Sequence, residues 1–416
     1  MRSFASCGAL LLAPLLVLAG CPGRKAAPES GAVDAHLLAA PRGSVAGSAK
    51  PAAPDDQPTD IQAVRREADG WRREHRLIDV HEHVSPDPSA LARGIRIYDA
   101  VGIGLVVNLS GGTVTPTPDG PSVFELTRAI TDQLYPGRFL QYMNLDYTNW
   151  DAPDFAQQAA AQIERGARLG AAGLKESKRL GLYLKDKAGK LLRIDDPKLD
   201  GVWRRCGELG LPVSIHTADP RAFWLPYDPS NERWDELHDH PRWWFGDPKK
   251  FPPREELLAE LDRILGRHPE TTFVSVHFGS NAEDLAWVDR ELDLHPNMWI
   301  DLAARVPEIG RHDPDEVRRF FLKHQDRILF ATDLAVDDDL VLGSGGSGPP
   351  PTDADAVDFF TKHWRWLETR DLHFAHMTPI QGRWTISGIG LPASVLRKVY
   401  FDNARRLLSR SLPAGK

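Results

Sequence analysis

Residues 77–83 read LIDVHEH, an apolar run that ends in two histidines separated by one residue. Leu77–Val80 has the composition of a short buried strand. Side chains alternate along a strand, so we expect His81 and His83 to project to one side and Glu82 to the other. Two imidazoles on one rigid strand can bind the same metal ion, and this pair is the first candidate site.

Seven more apolar runs follow, and stretches of helical spacing separate them. The predicted strands are Leu77–Val80, Gly104–Leu109, Phe139–Leu145, Ala172–Leu174, Pro212–Ile215, Thr272–Val276, Met298–Asp301 and Arg327–Phe330. Runs without alternation are typical of parallel strands buried on both faces. Between the strands, Phe155–Leu169 and Glu255–Leu265 are predicted helices because their apolar residues recur at helical spacing.

Eight strands, each followed by a crossover, predict an α/β fold of the (β/α)8 TIM-barrel type. An open doubly wound sheet is the alternative, but no glycine-rich nucleotide-binding turn follows the first strand. Two long insertions are predicted at the C-terminal face of the barrel. The segment Asp219–Pro253 contains four of the chain's 12 tryptophans, and a glycine-rich segment lies at 343–348. They are predicted to be either lids over the site or packing against the barrel rim.

Ligand-type residues follow three more of the predicted strands directly. His216 follows the fifth strand, His277 the sixth and Asp333 the eighth. Catalytic groups of such barrels lie at the carboxyl ends of strands. Buried histidines and carboxylates need partners, and a shared cation would satisfy all of them. Arg305, shortly after the seventh strand, is predicted to form a salt bridge or to contact an anionic substrate.

This pattern resembles the amidohydrolase superfamily, in particular its amidohydrolase-related (amidohydrolase 2) branch. The resemblance extends from about Ile78 to Leu408 and includes the C-terminal segment Tyr400-Phe401-Asp402-Asn403-Ala404. It implies a divalent metal site, with Zn²⁺ as the expected ion and room for a second. The metal ligands that it implies are His81, His83, His216 and Asp333.

The resemblance also implies roles for other groups. Asp333 would transfer protons, and His277 would bind a second metal or polarise the substrate or water. Lys175, at the end of the fourth strand, stands where binuclear members of the superfamily have a carboxylated lysine that bridges two metals, whereas the branch that this chain resembles commonly uses one metal and no such bridge. The alternative for Lys175 is a plain ammonium group that lines the pocket or pairs with Glu176 or Asp219.

The function implied is hydrolysis of an amide, lactone or ester bond in a small molecule by metal-activated water. Two alternatives stay open. The first is a non-oxidative decarboxylase that uses the same metal site, because members of this branch include such lyases. The second is a lipoprotein that binds a ligand without catalysis. A net charge of −7 and the lack of a basic stripe give no reason to expect a nucleic-acid partner.

The N-terminal residues predict export. Residues 1–20 read as a signal peptide, and Leu18-Ala19-Gly20-Cys21 resembles a lipobox whose cysteine carries lipid. An ordinary signal peptide with a chance cysteine is the alternative. Residues 21–60, rich in Ala, Pro and Gly, are predicted to be a flexible tether, and 61–416 the barrel. The expected location is the periplasm or cell surface, with the membrane contacted only through Cys21. Of the three cysteines, only Cys206 would remain in the barrel, as a small buried residue.

Overall fold

The structure is a computed structural model that describes residues 60–118 and 120–412. The predicted signal peptide, the lipidated Cys21 and nearly all of the predicted tether lie outside these residues. They therefore stay predictions, which acyl labelling of the protein and of a Cys21→Ala variant would test. Within the described residues, no helix has both the length and the apolar composition needed to cross a membrane.

Eight parallel strands, β1 to β8, form the centre of the molecule, each paired with the next in chain order. Their bounds are Leu77–Val84, Ile103–Asn108, Phe139–Asn144, Gly173–Glu176, Val213–Ile215, Phe273–Ser275, Met298–Asp301 and Ile328–Leu329. All eight coincide with predicted strands. The prediction was accurate because each strand is an apolar run buried on both faces, which local composition reports directly.

The ring is closed between the last strand and the first. The backbone N–H of Val80 donates to the carbonyl of Phe330 at 3.2 Å, and the N–H of Asp333 donates to the carbonyl of His81 at 2.9 Å. The chain that follows β8 thus lies beside β1. This contact makes the fold a (β/α)8 barrel, as predicted, and excludes the open sheet.

Helices cover the outside of the barrel. The α-helices are Ile61–Arg73, Pro88–Val101, Val123–Leu134, Phe155–Arg168, Asp200–Leu209, Trp234–Asp239, Arg254–Arg267, Leu285–Leu294, Val306–Ile309, Pro314–Lys323, Asp353–Glu368, Ala393–Arg397 and Asn403–Leu407, with a π-helical stretch at Lys398–Asp402. Short 3₁₀ helices lie at Pro197–Leu199, Arg221–Trp224, Pro241–Trp243 and Pro379–Gln381. Cys206, on the inner face of its helix, is fully buried, which confirms the prediction for this residue.

The helix Pro88–Val101 illustrates how local sequence sets helix ends. The Asp87 carboxylate accepts hydrogen bonds from the N–H groups of Ser89 and Ala90, and Pro88 occupies the first turn, where no backbone donor is needed. The helix ends at Gly102, whose φ of +81° is left-handed. A side chain there would also collide with the backbone of Arg72, so glycine is required.

Four short strands were not predicted. β9 (Leu334–Val336) pairs parallel with the carboxyl end of β1, and β10 (Leu340–Leu342) pairs antiparallel with β9. A second small sheet pairs β11 (Phe374–Ala375) with β12 (Thr385–Ile386). These four short segments lack the longer apolar runs that mark most of the barrel strands in the sequence, and they form here because neighbouring backbone is already in place.

The tryptophan-rich insertion packs as a small apolar cluster on the rim. Phe223, Leu237 and Phe245 are buried in it together with Leu257 of the helix Arg254–Arg267. The insertion also contacts the glycine-rich segment, because His240 Nε2 lies 2.7 Å from the carbonyl oxygen of Gly345. Both segments therefore form a packed wall over the carboxyl ends of the strands.

Candidate metal centre

A pocket of about 680 Å³ opens at the carboxyl ends of the barrel strands. The residues that line it include all six that the sequence predicted for the site, namely His81, His83, Lys175, His216, His277 and Asp333. Barrel topology explains the convergence, because the strands are parallel and their carboxyl ends meet at one face.

His81 is buried at the floor of the pocket, and its ring is held by Asp301 at the end of β7. The ring nitrogen Nδ1 lies 2.8 Å from Asp301 Oδ2. A carboxylate accepts only, so Nδ1 carries the proton and Nε2 presents a lone pair to the pocket. The same carboxylate accepts the backbone N–H of His277 at 2.7 Å through Oδ1. Asp301 thus orients two pocket histidines at once.

His83 and Asp333 complete a three-residue group with His81. Asp333 Oδ1 lies 3.3 Å from His83 Nε2 and 3.5 Å from His81 Nε2. In a tetrahedral zinc site with bonds of about 2.1 Å, ligand atoms lie about 3.4 Å apart. The other nitrogen of His83, Nδ1, lies 2.7 Å from the hydroxyl of Ser110, which leaves Nε2 for the pocket. These three ligand atoms fit one divalent ion.

Glu82 turns away from the pocket, as the strand alternation predicted. Its carboxylate accepts the hydroxyl of Tyr98 at 2.6 Å on the outer side of β1. The side chain is fully buried. Burial raises the pKa of the Glu82 carboxyl well above its usual range.

Asp333 lies in the turn between β8 and β9 with a left-handed φ of +62°. The turn is held from below by Asp79, whose carboxylate accepts the hydroxyl of Thr332 at 2.6 Å. Burial would raise the pKa of the Asp333 carboxyl, but His81, His83 and Lys175 outweigh it and lower the pKa below its usual range. Asp333 is therefore ionised and ready to act as a ligand or as a base.

His277 begins a left-handed turn directly after β6. His277, Phe278 and Ser280 have φ values of +56°, +57° and +56°. Left-handed backbone is unfavourable for residues other than glycine, and several such residues in succession are typical of a functional site. The turn directs the backbone N–H of His277 to Asp301 and its Nδ1 to the carbonyl of Ala303 at 2.9 Å.

His216 lies beside His277 rather than in the His81–His83–Asp333 group. Its Nδ1 is 3.1 Å from His277 Nε2, and its Nε2 is 3.1 Å from Asp219 Oδ1. In each ring, one nitrogen faces an oxygen that can only accept, on Asp219 for His216 and on Ala303 for His277, so that nitrogen carries the proton. If both rings are neutral, the lone pairs of His216 Nδ1 and His277 Nε2 therefore face each other. Burial lowers the pKa of His216 to about 4 and that of His277 well below its usual range, which disfavours a proton between them. A metal cation between the two nitrogens would satisfy both lone pairs. The assignment of His216 as a metal ligand stays a prediction.

Lys175 is buried, and its Nζ lies 3.4 Å from His81 Nε2. Burial lowers the pKa of Lys175 to about 8, although Asp301, Asp333 and Glu176 oppose the shift. The alternative pairing with Asp219 was wrong. Lys178 makes that contact instead, at 2.6 Å, because it lies one turn further along the loop after β4, on the side of β5.

Four residues around the site were not singled out in the sequence as groups that orient it. They are Asp301, Asp219, Lys178 and Ser110. Asp301 carried a usable signal, because it ends the seventh strand as His216 and His277 follow the fifth and sixth. Ser110, Lys178 and Asp219 lie two to four residues beyond the ends of β2, β4 and β5. Their residue types are common in loops, and sequence position does not show which way their side chains turn.

Basic and aromatic side chains form the upper wall of the pocket. Lys178 lies 4.7 Å from the ring centre of Trp243, and Phe223 stacks on the same tryptophan with ring centres 6.3 Å apart. Arg305 also lines the pocket and lies 3.7 Å from Asp219, which confirms the predicted salt bridge. Five basic residues line the pocket against three acidic ones, so its walls favour an anionic ligand.

Comparison with known proteins gives a family and several distant structural relatives. The chain is similar to an uncharacterised TIM-barrel protein from Bordetella bronchiseptica, at 16% identity and a TM-score of 0.47, over 80% of this chain and 99% of that one. It is also similar to 2,6-dihydroxybenzoate decarboxylase from Rhizobium, at 18% identity and a TM-score of 0.45, over 81% and 99% of the two chains.

A third similar structure is a dihydroxybenzoic acid decarboxylase from Polaromonas sp. JS666 with bound manganese and 2-nitroresorcinol. It shares 17% identity at a TM-score of 0.44, over 81% of this chain and 98% of that one. No curated protein matches the chain. The family profile described as Amidohydrolase matches residues 78–410. That range contains every pocket residue named above and all of the eight barrel strands except Leu77, the first residue of β1. The chain therefore belongs to the amidohydrolase family.

Proposed function

We propose that this protein is a metal-dependent hydrolase that cleaves an amide, lactone or ester bond of a small anionic substrate. The observation that carries the proposal is the group formed by His81, His83 and Asp333 at the floor of an open pocket. Its three ligand atoms all lie within 4.8 Å of one another. A site with three protein ligands and one open side is the arrangement of catalytic rather than structural metal sites.

A divalent ion held by this group, with Zn²⁺ as the expected ion, would supply Lewis-acid chemistry and make water a stronger nucleophile at neutral pH. The other roles in the reaction belong to side chains of the protein. Asp333, which is ionised, accepts the proton of the attacking water and passes it to the leaving group. His277 presents the lone pair of Nε2 beside that of His216, so these two rings would hold a second divalent ion if the site takes one.

The basic wall of the pocket supports the anionic substrate. Lys178 and Arg305 reach the pocket from the segments that follow β4 and β7, and Asp219 holds both of them in place. Trp243 and Phe223 offer flat apolar faces beside Lys178. A cyclic or aromatic molecule with a carboxylate or another acidic group matches both features.

The same wall favours one alternative, a non-oxidative decarboxylase, because every substrate of that reaction carries a carboxylate. In that case Asp333 would protonate or deprotonate carbon instead of water. The products separate the two reactions, since hydrolysis yields an acid together with an alcohol or amine, whereas decarboxylation releases CO₂.

The full chain, loaded with Zn²⁺ or Mn²⁺, should therefore be assayed on a panel of cyclic lactones, amides, esters and aromatic acids. We expect hydrolysis that stops after chelation and returns when the metal is added back. Release of CO₂ from the aromatic acids would instead show that the protein is a decarboxylase. A metal-loaded protein that turns over neither class would contradict both.

Replacement of Lys178 by Met tests the anionic substrate. The charged hydrogen bond that is lost contributes about 1.5–3 kcal/mol, so we expect KM for an anionic substrate to rise roughly 10- to 100-fold. A neutral analogue should lose far less. Lys185, an exposed lysine on the same loop, provides the control variant Lys185→Met. Equal losses for the charged and the neutral substrate would show that Lys178 only supports the loop.

A further inference from the structure

A second group of metal-ligand residues lies on the outside of the barrel. Asp262 belongs to the helix Arg254–Arg267, Glu291 to the helix Leu285–Leu294, and His295 directly follows the latter. His295 Nε2 lies 2.7 Å from Asp262 Oδ1 and 3.6 Å from Glu291 Oε2. One ligand atom from each residue falls within 4.8 Å of the other two. Two neighbouring helices thus bring one nitrogen and two oxygen donors together.

The oxygen of Glu291 that faces this group accepts no hydrogen bond within the part of the chain that the structure describes. Among the described residues, Glu291 Oε2 forms no hydrogen bond, although the side chain is only 5% exposed. The other oxygen, Oε1, accepts from Arg290 at 3.1 Å. A buried carboxylate oxygen that accepts no hydrogen bond is unfavourable by itself, and a bound cation would satisfy it.

Hydrogen bonds fix the backbone around His295 against the helix that carries Asp262, so the group is brought together before any ion binds. The carbonyl oxygen of His295 accepts from Arg327 at 3.0 Å and from the N–H of Met298 at 3.0 Å. The amide of Asn297 donates to the carbonyls of Leu265, His268 and Thr271 at 3.0–3.1 Å, which ties this turn to the helix that carries Asp262.

The group lies at the end of the barrel opposite to the pocket. His295 precedes the first residue of β7, Met298, whereas Asp301 at the other end of β7 contacts the pocket histidine His81. In barrels of this type the face at the amino ends of the strands serves stability, and the opposite face serves catalysis. An ion at His295 would therefore act on stability alone.

We propose that Asp262, Glu291 and His295 form a second, structural site for a divalent transition-metal ion. An imidazole nitrogen with two carboxylates suits Zn²⁺ or Mn²⁺, whereas Ca²⁺ and Mg²⁺ prefer oxygen ligands only. The 3.6 Å between His295 and Glu291 is close to the ligand spacing of about 3.4 Å in a tetrahedral zinc site. Without an ion, the 2.7 Å contact means that His295 Nε2 donates its proton to Asp262, and a bound cation would replace that proton. Asp262 is half exposed, so its carboxylate can then move outward to the same spacing.

The proposal is tested by measuring the zinc content of variants in which the metal site of the pocket has been disrupted. Full-length His81→Ala protein should be dialysed against Zn²⁺ and compared with the double variant His81→Ala/Glu291→Gln. We expect the double variant to hold one ion fewer per chain. Zn²⁺ should raise the melting temperature of the first protein but not that of the second, and Ca²⁺ should raise neither. Glu291→Gln alone should keep its activity.

Asp293→Asn in the same background is the matched control, because Asp293 lies on the same helix and contacts Lys323 rather than the group. It should hold as much zinc as His81→Ala. If Glu291→Gln fails to fold, Asp262→Asn takes its place, since Asp262 is half exposed and tolerates exchange. Equal zinc content with and without Glu291 or Asp262, or equal stabilisation by Ca²⁺, would overturn the proposal.

Discussion

Replacement of Asp333 by Asn is expected to lower kcat/KM roughly 10²- to 10⁴-fold, the range that a lost general base costs. The carboxylate contacts both His81 and His83 and is the ionised group of the pocket floor. Asn preserves the shape of the side chain but cannot accept a proton at neutral pH. It also tolerates the left-handed φ of +62°, which Ala would occupy only with strain. We expect the fold to survive, and with it the melting temperature of the metal-free protein.

Steady-state kinetics and the metal content of the purified variant measure this effect. Asp337→Asn is the control, because Asp337 is an exposed aspartate of the β9–β10 turn only four residues away. It should behave like the unchanged protein. A fully active Asp333→Asn variant would contradict both roles assigned to Asp333, as a ligand and as a base.

Replacement of Asp301 by Asn is expected to weaken metal binding about 10- to 100-fold, the usual effect of losing a carboxylate that supports a metal ligand. The amide of Asn can still accept the N–H of His277 through its oxygen. Its nitrogen, however, would face the protonated Nδ1 of His81, two donors at the 2.8 Å that now separates donor from acceptor. His81 would then shift its proton to Nε2 or rotate, and either change removes a lone pair from the metal site.

A titration of activity against Zn²⁺ concentration separates this positioning role from general damage. We expect the Asp301→Asn variant to need more metal for half-maximal activity and to regain much of its activity when metal is in excess. A variant that stays inactive at saturating metal, or one with unchanged metal dependence, would contradict the role of Asp301 in holding His81.

The local sequence was sufficient to predict the eight barrel strands and most residues of the site. Burial on both faces makes each strand an apolar run, and the two-residue period of a strand sends His81 and His83 to one side and Glu82 to Tyr98 on the other. The parallel arrangement brings polar residues that follow different strands to one face. His216, His277 and Asp333 could therefore be assigned to a common pocket without knowledge of any distance.

The tertiary structure decided which of these groups touch. The three-residue group excludes His216, because the ring of His216 turns to Asp219 and His277. Lys178 rather than Lys175 pairs with Asp219, and Asp301 connects β7 to His81 on β1, 220 residues earlier in the chain. Such contacts depend on strand register and on the left-handed turns at His277 and Asp333. Strand register and these turns cannot be predicted from composition or spacing, because both arise from contacts between segments that are distant in the chain.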